Sequence, residues 1–357
     1  MSSGYRVEWS EHAGRLATVA RDDAGWYAAV AAALVRPADR TVVDLGCGGG
    51  GMAVALAAAV PARAHVVAVD GDEAVLAGAR ANAAAAGAAV RFAQADIAGD
   101  PAGLRAAIGP PVDLLWASGV VHHAPDQQAA LDGLARLLAP EGRLALAEGG
   151  LHARHLPWDV GLGEPGLEMR FDAAQDSWFA GMRAALPGVV PMPYGWTEAL
   201  RRAGLVGVTT RSTLLERPAP LAPVDRAAVV GSLRWRVDRL TETGHLTAAD
   251  ADAWQRLLDP ADPSYLGHRT DLYHLQARSI HIGHRPPRPR GVPSAPVTGG
   301  VNDSPASGSL SRRHRAERTA RFSVACSRAG QTRYQEVTGP SGADDRVERR
   351  KTLWPAG

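Results

Sequence analysis

The most constraining feature of this chain is a β-branched run that passes into an acid and then a glycine-dense turn. It occupies residues 42–51, with the sequence VVDLGCGGGG. Residues 41–45 predict a buried strand, and the alanine-rich residues 52–60 before Pro61 predict the helix that follows. Such a turn needs positive φ and little side-chain bulk, so that a ligand can lie against main-chain amides at a helix start. The segment therefore predicts a site for a nucleotide-like cofactor.

Two classes of cofactor site use such a turn. Gly46, Gly48 and Gly51 fit the dinucleotide fingerprint G-x-G-x-x-G. Asp44 distinguishes the two classes, because a carboxylate at this place would repel the diphosphate of a dinucleotide. The pattern D-x-G-x-G-x-G resembles motif I of the class I S-adenosylmethionine-dependent methyltransferases. The resemblance implies that Asp44 faces a cationic part of S-adenosylmethionine and that Gly46, Cys47 and Gly48 contact the cofactor.

The second predicted strand, residues 65–69, ends at Asp70 and is followed by Gly71. A carboxylate at the end of this strand can accept two hydrogen bonds from ribose hydroxyls, a role that dinucleotide folds share. We expect Asp70 and Gly71 to contact the cofactor. The neighbouring acids Asp72 and Glu73 fit a simpler role beside the positive end of a helix dipole.

The third predicted strand, residues 89–93, leads into a turn that resembles the adenine-binding turn of the same family. The resemblance implies that Asp96 accepts a hydrogen bond from the exocyclic amine and that the Ile97 amide meets a ring nitrogen. The fourth predicted strand, residues 112–117, brings Ala117 to the cofactor in the same way.

The candidates for chemistry follow the fourth and fifth strands. In-line methyl transfer mainly requires alignment of an acceptor, and a general base adds rate when the acceptor is a hydroxyl or an ammonium. His122 and Glu148 are the catalytic candidates, with His123, His152 and Asp159 as further ones. A hydrogen bond that only orders the loop is the structural alternative for His122, and charge stabilisation is the alternative for Glu148.

Aromatic residues are dense between positions 151 and 196, although they make up only 5% of the chain. The resemblance places the acceptor pocket beside strands four and five, and a pocket for an apolar or aromatic small molecule would be lined by such side chains. Trp158, Trp178 and Tyr194 are the substrate-contact candidates. Packing in an ordinary core is the alternative for each of them.

Strands alternating with helices predict a parallel, doubly wound sheet. A sixth strand at 206–215, two helices at 224–240 and 248–258, and a last strand at 272–282 complete the pattern. The expected fold class is α/β, a Rossmann-like seven-stranded sheet with helices on both faces. Its last strand is expected to be antiparallel, and the helical pair to be an insertion.

We expect one methyltransferase domain over residues 1–284 and a disordered basic tail over 285–357. Within the domain the expected parts are an N-terminal helical cap at 1–40, a cofactor-binding core at 41–150, an acceptor-pocket region with strand six at 151–222, a helical insertion at 223–271, and the last strand at 272–284.

Charge and cysteine content limit the function classes. The tail from 285 carries 14 basic and 6 acidic residues, whereas the preceding 284 residues have a net charge of −6. A mildly acidic body argues against nucleic acid as substrate, because tracking phosphates needs a basic surface. Two cysteines make no disulfide framework, and no zinc spacing occurs, so no metal is expected. Without a long apolar run or a leader pattern, a cytoplasmic protein that binds no membrane is expected.

The sequence therefore favours S-adenosylmethionine-dependent methylation of a small organic molecule. One alternative is an NAD(P)-dependent oxidoreductase, which Asp44, Asp96 and the absence of a Tyr-x-x-x-Lys pair disfavour. The other is a protein that binds S-adenosylmethionine without catalysing a reaction. The acceptor atom and the oligomeric state are not encoded in any motif.

Overall fold

The computed structural model describes residues 8–96, 101–109 and 111–288. The expectations for Ile97 and for most of the tail therefore lie outside the described residues.

Seven strands form one sheet in the order β3-β2-β1-β4-β5-β7-β6. The strands are β1 Thr41–Leu45, β2 His65–Asp70, β3 Val90–Gln94, β4 Val112–Ser118, β5 Leu138–Arg154, β6 Val206–Arg217 and β7 His274–His284. Strands β1 to β5 pair in parallel, and β7 lies antiparallel between β5 and β6. The chain reverses its direction of travel across the sheet between β1 and β4, which is where parallel α/β sheets bind ligands.

Ten α-helices surround or extend this sheet within the described residues. They are α1 Ala13–Asp22, α2 Ala24–Leu34, α3 Gly51–Ala59, α4 Glu73–Ala85, α5 Pro101–Ile108, α6 Gln127–Leu137, α7 Leu167–Ala185, α8 Trp196–Arg202, α9 Pro223–Glu242 and α10 Ala248–Leu258. In the described part of the chain, no helix combines the length and the apolar character needed to span a membrane.

The two faces of the sheet are covered by different helices. Side chains alternate along a strand, so Val43 and Leu45 enter one core while Val42 enters the other. Helices α5, α6 and α8 complete the first core, and α2, α3 and α4 complete the second. Helices on both faces and an antiparallel last strand confirm the predicted fold class.

A third core lies in helices α7, α9 and α10 and is separate from the two cores on the faces of the sheet. Phe171 of α7, Leu233 of α9 and Trp254 of α10 are buried together there. Helices α9 and α10 lie between β6 and β7, where the sequence predicts the helical insertion. The domain boundaries drawn from the sequence stay a prediction.

Several elements differ from the sequence-based expectations. The sequence pattern does not predict helices α1, α5 and α7. It predicts a fifth strand only at residues 143–147, whereas β5 spans Leu138–Arg154. Strand β5 is extended because β7 pairs with it antiparallel, through two irregularities, as far as the Arg154–Leu275 pair. Strand length is thus set by the partner strand more than by local composition.

Helix α1 is seated directly on the glycine loop. A Cβ atom at Gly49 would lie 2.2 Å from the carbonyl oxygen of Leu16. The Asn82 side chain of α4 fastens this contact, because its Nδ2 donates to the carbonyl oxygens of Ala17 at 3.0 Å and Gly49 at 2.9 Å. Gly49 is therefore required by helix packing, whatever it contacts in the cavity.

We expect Gly49→Ala to lower the free energy of unfolding by roughly 1–3 kcal/mol, because α1 has to move off the loop. Urea denaturation measures this change. Gly231→Ala is the matched control, since Gly231 has open space in α9, and alanine there should raise stability by roughly 0.5–1 kcal/mol. Equal stability of Gly49→Ala and the wild type would contradict the seating of α1 on the loop.

Candidate functional site

A cavity of about 630 Å³ opens at the carboxyl ends of β1, β2 and β4. Its wall combines the glycine loop, the turns after β2, β3 and β4, and the N-terminal segment. The lining residues include Glu8, Trp9, Leu16, Val19, Ala20, Tyr27, Asp44, Leu45, Gly46, Cys47, Gly48, Gly49, Gly51, Met52, Asp70, Gly71, Asp72, Asp96, Trp116, Ser118, Gly119, Val120 and His123.

The glycine loop is shaped by backbone conformations that side chains avoid. Gly46 has φ +63°, and a Cβ atom there would lie 2.3 Å from Cγ2 of Val120. Gly48 has φ +52°. Both positions therefore need glycine to bring bare backbone to the cavity wall. Gly50 caps α3 in the left-handed region with φ +79°, and it is not among the described residues that line the cavity.

Asp44 lies near the end of β1 inside the cavity wall and is only 2% exposed. Burial raises the pKa of its carboxyl to about 7, a backbone N–H from Ala53 lowers it, and the charge of Asp70 raises it further. Its Oδ2 atom is buried and has no hydrogen-bond partner among the described residues. A buried acceptor without a donor is costly, so the site has the chemistry to receive a cationic or N–H group.

Asp70 ends β2 and bridges two turns. Its Oδ2 accepts from the Gly48 N–H at 3.0 Å, and its Oδ1 accepts from the Asp72 N–H at 3.2 Å. Burial is the largest influence on its pKa and raises it, while these N–H groups act in the opposite direction. The carboxylate is thereby fixed at the cavity, and each oxygen retains capacity for a further donor. Asp72 caps α4 by accepting from the Val75 N–H at 3.0 Å, as its proximity to the helix start suggested.

The other cofactor candidates divide into two groups. Cys47, Gly71 and Asp96 line the cavity together with Asp44 and Asp70. Ala117 of β4 is fully buried in the first core. Its neighbours Trp116 and Ser118 line the cavity in its place. Burial raises the pKa of the Cys47 thiol, which keeps it protonated and unreactive.

The catalytic candidates His122 and Glu148 form a hydrogen-bonded pair. The Nδ1 atom of His122 lies 2.7 Å from Oε2 of Glu148. Oε1 of Glu148 accepts the N–H groups of Val120 at 3.0 Å and Val121 at 2.9 Å. Glu148 is 4% exposed, so both of its oxygens are occupied inside the protein. It is therefore placed to order the loop after β4 and to orient His122.

His123 is the histidine of the adjacent pair that lines the cavity. Burial, followed by the neighbouring His122 and the charges of Arg183 and Arg239, lowers its pKa to about 3, so His123 is neutral near pH 7. The ring of His122 lies against it with the centroids 4.1 Å apart, and the ring of Trp9 lies 5.2 Å away on an edge. The two histidines thus form one packed unit at the cavity edge.

A second cavity of about 550 Å³ lies on the other side of α1. Val19 lines both cavities, while Leu16 faces the first and Arg15 the second. The remaining wall comes from the ends of β5, β6 and β7 and from α9. Its lining residues include Asp22, Asp23, Gly149, Gly150, Leu151, His152, His155, Asp176, Arg217, Val229, Ser232, Trp235, Arg236, His274, Gln276 and Arg278.

A buried polar chain borders this second cavity. Nδ1 of His155 lies 2.7 Å from Oε1 of Glu168, and Nε2 of His155 lies 3.3 Å from Nδ1 of His274. Burial, and then the charge of His155, lowers the pKa of His274 to about 4. No local sequence pattern indicates this chain, because Glu168 and His274 lie 13 and 119 residues from His155.

The three substrate-contact candidates lie in different surroundings. Trp158 is 66% exposed. Trp178 is buried in the third core with the Arg239 guanidinium carbon 4.5 Å from its ring centroid. Tyr194 packs against the α6 and α8 side of the sheet, where its hydroxyl donates to Gln128 at 3.1 Å. The second cavity takes its aromatic wall from Trp235, which sequence reasoning missed.

Carboxylates, guanidinium groups and backbone amides line the two cavities. Such groups are suited to binding and aligning organic molecules. Within the described ranges, no group of three or more His, Cys, Asp or Glu side chains is placed to hold a metal ion.

Comparison with known proteins identifies relatives of the cofactor-site region. Residues 42–142 match the family model described as a methyltransferase domain. A trans-aconitate 2-methyltransferase from Methylobacterium nodulans is 40% identical over 106 residues, which cover 29% of this chain and 36% of that protein. The family match confirms the resemblance carried by the glycine loop.

Solved structures resemble the chain at low sequence identity. The YcgJ protein from Bacillus subtilis is 19% identical with a TM-score of 0.41, covering 74% of this chain and 99% of that one. Phosphoethanolamine N-methyltransferase 2 from Haemonchus contortus, in complex with S-adenosyl-L-methionine, is 16% identical with a TM-score of 0.38. That match covers 71% of this chain and 50% of the other.

We expect the Asp44 carboxyl to lower the free energy of unfolding at neutral pH. Its raised pKa of about 7 means that the folded state keeps a proton that the unfolded state loses above about pH 4. Stability is then full below about pH 4 and falls as the pH rises to about 7, by at most about 4 kcal/mol. Asp44→Asn removes this titration. We expect it to be more stable than the wild type at about pH 8, with the difference vanishing near pH 4.

Urea denaturation of both proteins between about pH 4 and pH 8 measures this difference. Asp113→Asn is the control, because Oδ2 of the Asp113 carboxylate accepts the N–H groups of Arg40 at 2.8 Å and Thr41 at 3.0 Å. This variant should be less stable than the wild type, in contrast to Asp44→Asn. A loss of stability in Asp44→Asn at the upper end of this pH range would show that Asp44 already has a partner in the free protein.

Proposed function

We propose that the chain transfers a methyl group from S-adenosylmethionine to a small organic acceptor, starting from the match of residues 42–142 to a methyltransferase domain. The observation that carries this proposal is the buried Oδ2 of Asp44, which has no donor among the described residues and borders a cavity built on the glycine loop. A cationic group answers this carboxylate, whereas the diphosphate of a dinucleotide would be repelled by it.

S-adenosylmethionine, when bound, supplies an electrophilic methyl carbon and a thioether leaving group. Asp44 is proposed to pair with the cationic part of the cofactor, Asp70 to accept from the ribose hydroxyls, and Asp96 to meet the adenine. Helix α1 covers the cavity through Leu16 and Val19. These contacts hold the cofactor and exclude water, which is the main requirement of an in-line transfer.

The acceptor is proposed to bind in the second cavity. It adjoins the cofactor cavity at Val19 and lies at the extended end of β5. The name of the related trans-aconitate 2-methyltransferase indicates a small organic acid for that protein, which supports a small acceptor for this one. Of the aromatic candidates, Trp178 is joined to this region through Arg239, which also lies against Trp235.

His122 is proposed as the general base for an acceptor that must lose a proton. Its side chain is not among the described lining residues of either cavity, so it would act from behind His123, whose ring it packs against with the centroids 4.1 Å apart. In the proposed tautomer, Nδ1 of His122 donates to Oε2 of Glu148 at 2.7 Å, which leaves Nε2 as the proton-accepting atom. Glu148 acts as the positioning group, since its other oxygen holds the loop amides.

Parallel calorimetric titrations with S-adenosylmethionine, S-adenosylhomocysteine and NADH test the cofactor. We expect binding of the two sulfur compounds, and Asp44→Asn and Asp70→Asn should each weaken it about tenfold or more through the loss of a charge-assisted contact. Binding of NADH alone, or unchanged affinity in both variants, would contradict the proposed site. Cofactor binding without methyl transfer to any acceptor would support a binding protein without catalysis.

His122→Ala should retain cofactor affinity and reduce turnover by roughly two to four orders of magnitude, because it removes the base. The measurement is tritium transfer from labelled S-adenosylmethionine, with calorimetry on the same preparation. His65→Ala is the control, since His65 begins β2 at the end of the strand away from the cavity. Equal turnover in His122→Ala and the wild type would leave His122 with a structural role only.

A further inference from the structure

Two arginines stack on the ring of Trp235 beside the second cavity, and a third arginine follows Trp235 in the sequence. The guanidinium carbons of Arg15 and Arg239 lie 3.8 and 3.6 Å from the ring centroid of Trp235. Arg236 follows Trp235 directly in α9 and lines the cavity together with Arg15 and Trp235. We call Arg15, Arg236 and Arg239 the arginine cluster.

Arg15 and Arg239 have no paired carboxylate among the described residues. The Nε atom of Arg15 is buried without a hydrogen-bond partner there. Burial lowers the pKa of Arg15. Burial, and then the positive charge of Arg15, lowers the pKa of Arg239 to about 10.

Arg236 is held by neutral groups. Its Nε donates to the Ser232 carbonyl oxygen and its Nη1 to the Gln175 side chain, each at the long distance of 3.4 Å. Burial lowers the pKa of Arg236, against the favourable charges of Glu168 and Asp172. Both of these acids form ion pairs with other residues. Arg236 therefore keeps capacity for a stronger acceptor.

The acids that line the cavity are occupied by other cations. Asp23 accepts from Arg217 at 3.2 Å and from Arg278 at 2.6 Å. Asp176 pairs with His152 at 3.1 Å on the exposed side.

Asp22 is the remaining acid among the described lining residues. It lies about two helical turns from Arg15; burial raises the pKa of its carboxyl, and the charge of Arg217 acts in the opposite direction. Arg15 and Arg236 are therefore the cations of this cavity with capacity for an incoming anion.

Like charges held together in a partly buried place are unfavourable unless something compensates them. Guanidinium groups offer planar pairs of donors that match the oxygens of a carboxylate or a phosphate. Trp235 holds Arg15 and Arg239 by its ring, which orients them without neutralising their charge. Arg15 and Arg236 line the same cavity, where their donors are available to a single oxyanion.

The cluster is also close to the proposed place of methyl transfer. Arg239 lowers the pKa of His123, which lines the cofactor cavity, and the pKa of His12 beside Trp235. Arg15 belongs to α1, whose Val19 faces both cavities. An anion bound by the cluster would thus lie next to the cofactor cavity instead of on a remote surface.

We propose that the methyl acceptor is a small organic oxyanion, a carboxylate or a phosphate ester, whose charged group is held by Arg15 and Arg236 in the second cavity. This inference rests on the proposed function, because it assigns the acceptor class of the same site. Arg239 contributes positive charge from its place against the ring of Trp235.

The test uses the full-length protein saturated with S-adenosylhomocysteine. Its melting temperature is measured with succinate, citrate or inorganic phosphate, each against sodium chloride of equal ionic strength. We expect at least one of the three anions to raise the melting temperature by several degrees in the wild type. Succinate and citrate report a carboxylate site, and phosphate reports a phosphate site.

Arg15→Gln and Arg236→Gln should raise the anion concentration needed for half of this effect roughly tenfold or more, because each removes a charged donor pair. Arg15→Lys keeps the charge without the planar fork and should fall between the wild type and Arg15→Gln. Arg211→Gln is the control, since Arg211 is an exposed residue of β6, and it should respond as the wild type does. Calorimetry with S-adenosylhomocysteine verifies that each variant is folded.

A second arm measures tritium transfer from labelled S-adenosylmethionine to a panel of carboxylic acids and phosphate esters, beside the corresponding amides and neutral alcohols. Transfer to acids alone, lost in Arg15→Gln, supports the proposal. Transfer to neutral compounds alone, or equal anion effects in Arg15→Gln and the wild type, overturns it. If S-adenosylhomocysteine binds but no anion stabilises the protein beyond chloride, this inference fails while the proposed function stands. If S-adenosylhomocysteine does not bind, the proposed function itself fails.

Discussion

The seating of α1 on the glycine loop is the contact on which both cavities depend. Gly49 leaves no room for a side chain beneath the Leu16 carbonyl, and Asn82 holds the two together. Helix α1 then gives Leu16 to the first cavity, Arg15 to the second and Val19 to both. A change in the N-terminal segment should therefore reach the cofactor and the acceptor at once, although neither the helix nor its role is part of the glycine motif.

The Asp44 carboxylate belongs to the proposed cofactor site and lowers the stability of the free protein. A carboxylate buried near the end of β1 with one oxygen unpaired is unfavourable in the free protein, and its raised pKa expresses that cost. The same feature gives selectivity for a ligand that brings positive charge. On the other side of α1, the arginine cluster is a partly buried group of cations that would favour a ligand with negative charge. The two cavities would then attract oppositely charged groups and hold them next to each other.

The sequence predicts well those elements whose signal is local. The glycine loop, Asp70 and the alternation of strands and helices give the sheet and its cofactor edge, because each depends on neighbours within a few positions. Helix α7 was missed although its apolar residues recur at helical spacing. The density of aromatic residues predicts substrate contacts for Trp158, Trp178 and Tyr194, but none of them is among the described lining residues of either cavity. The arginine cluster depends on contacts between α1 and α9, which are far apart in the chain, so no local pattern indicates it.

A crystal structure of the protein with S-adenosylhomocysteine would decide where the cofactor lies. We expect the ligand in the cavity at the ends of β1, β2 and β4, with its amino group facing Asp44, its ribose hydroxyls on Asp70 and its sulfur directed towards the second cavity. A ligand bound elsewhere, or one that leaves Asp44 without a partner and has its sulfur directed away from α1, would contradict it.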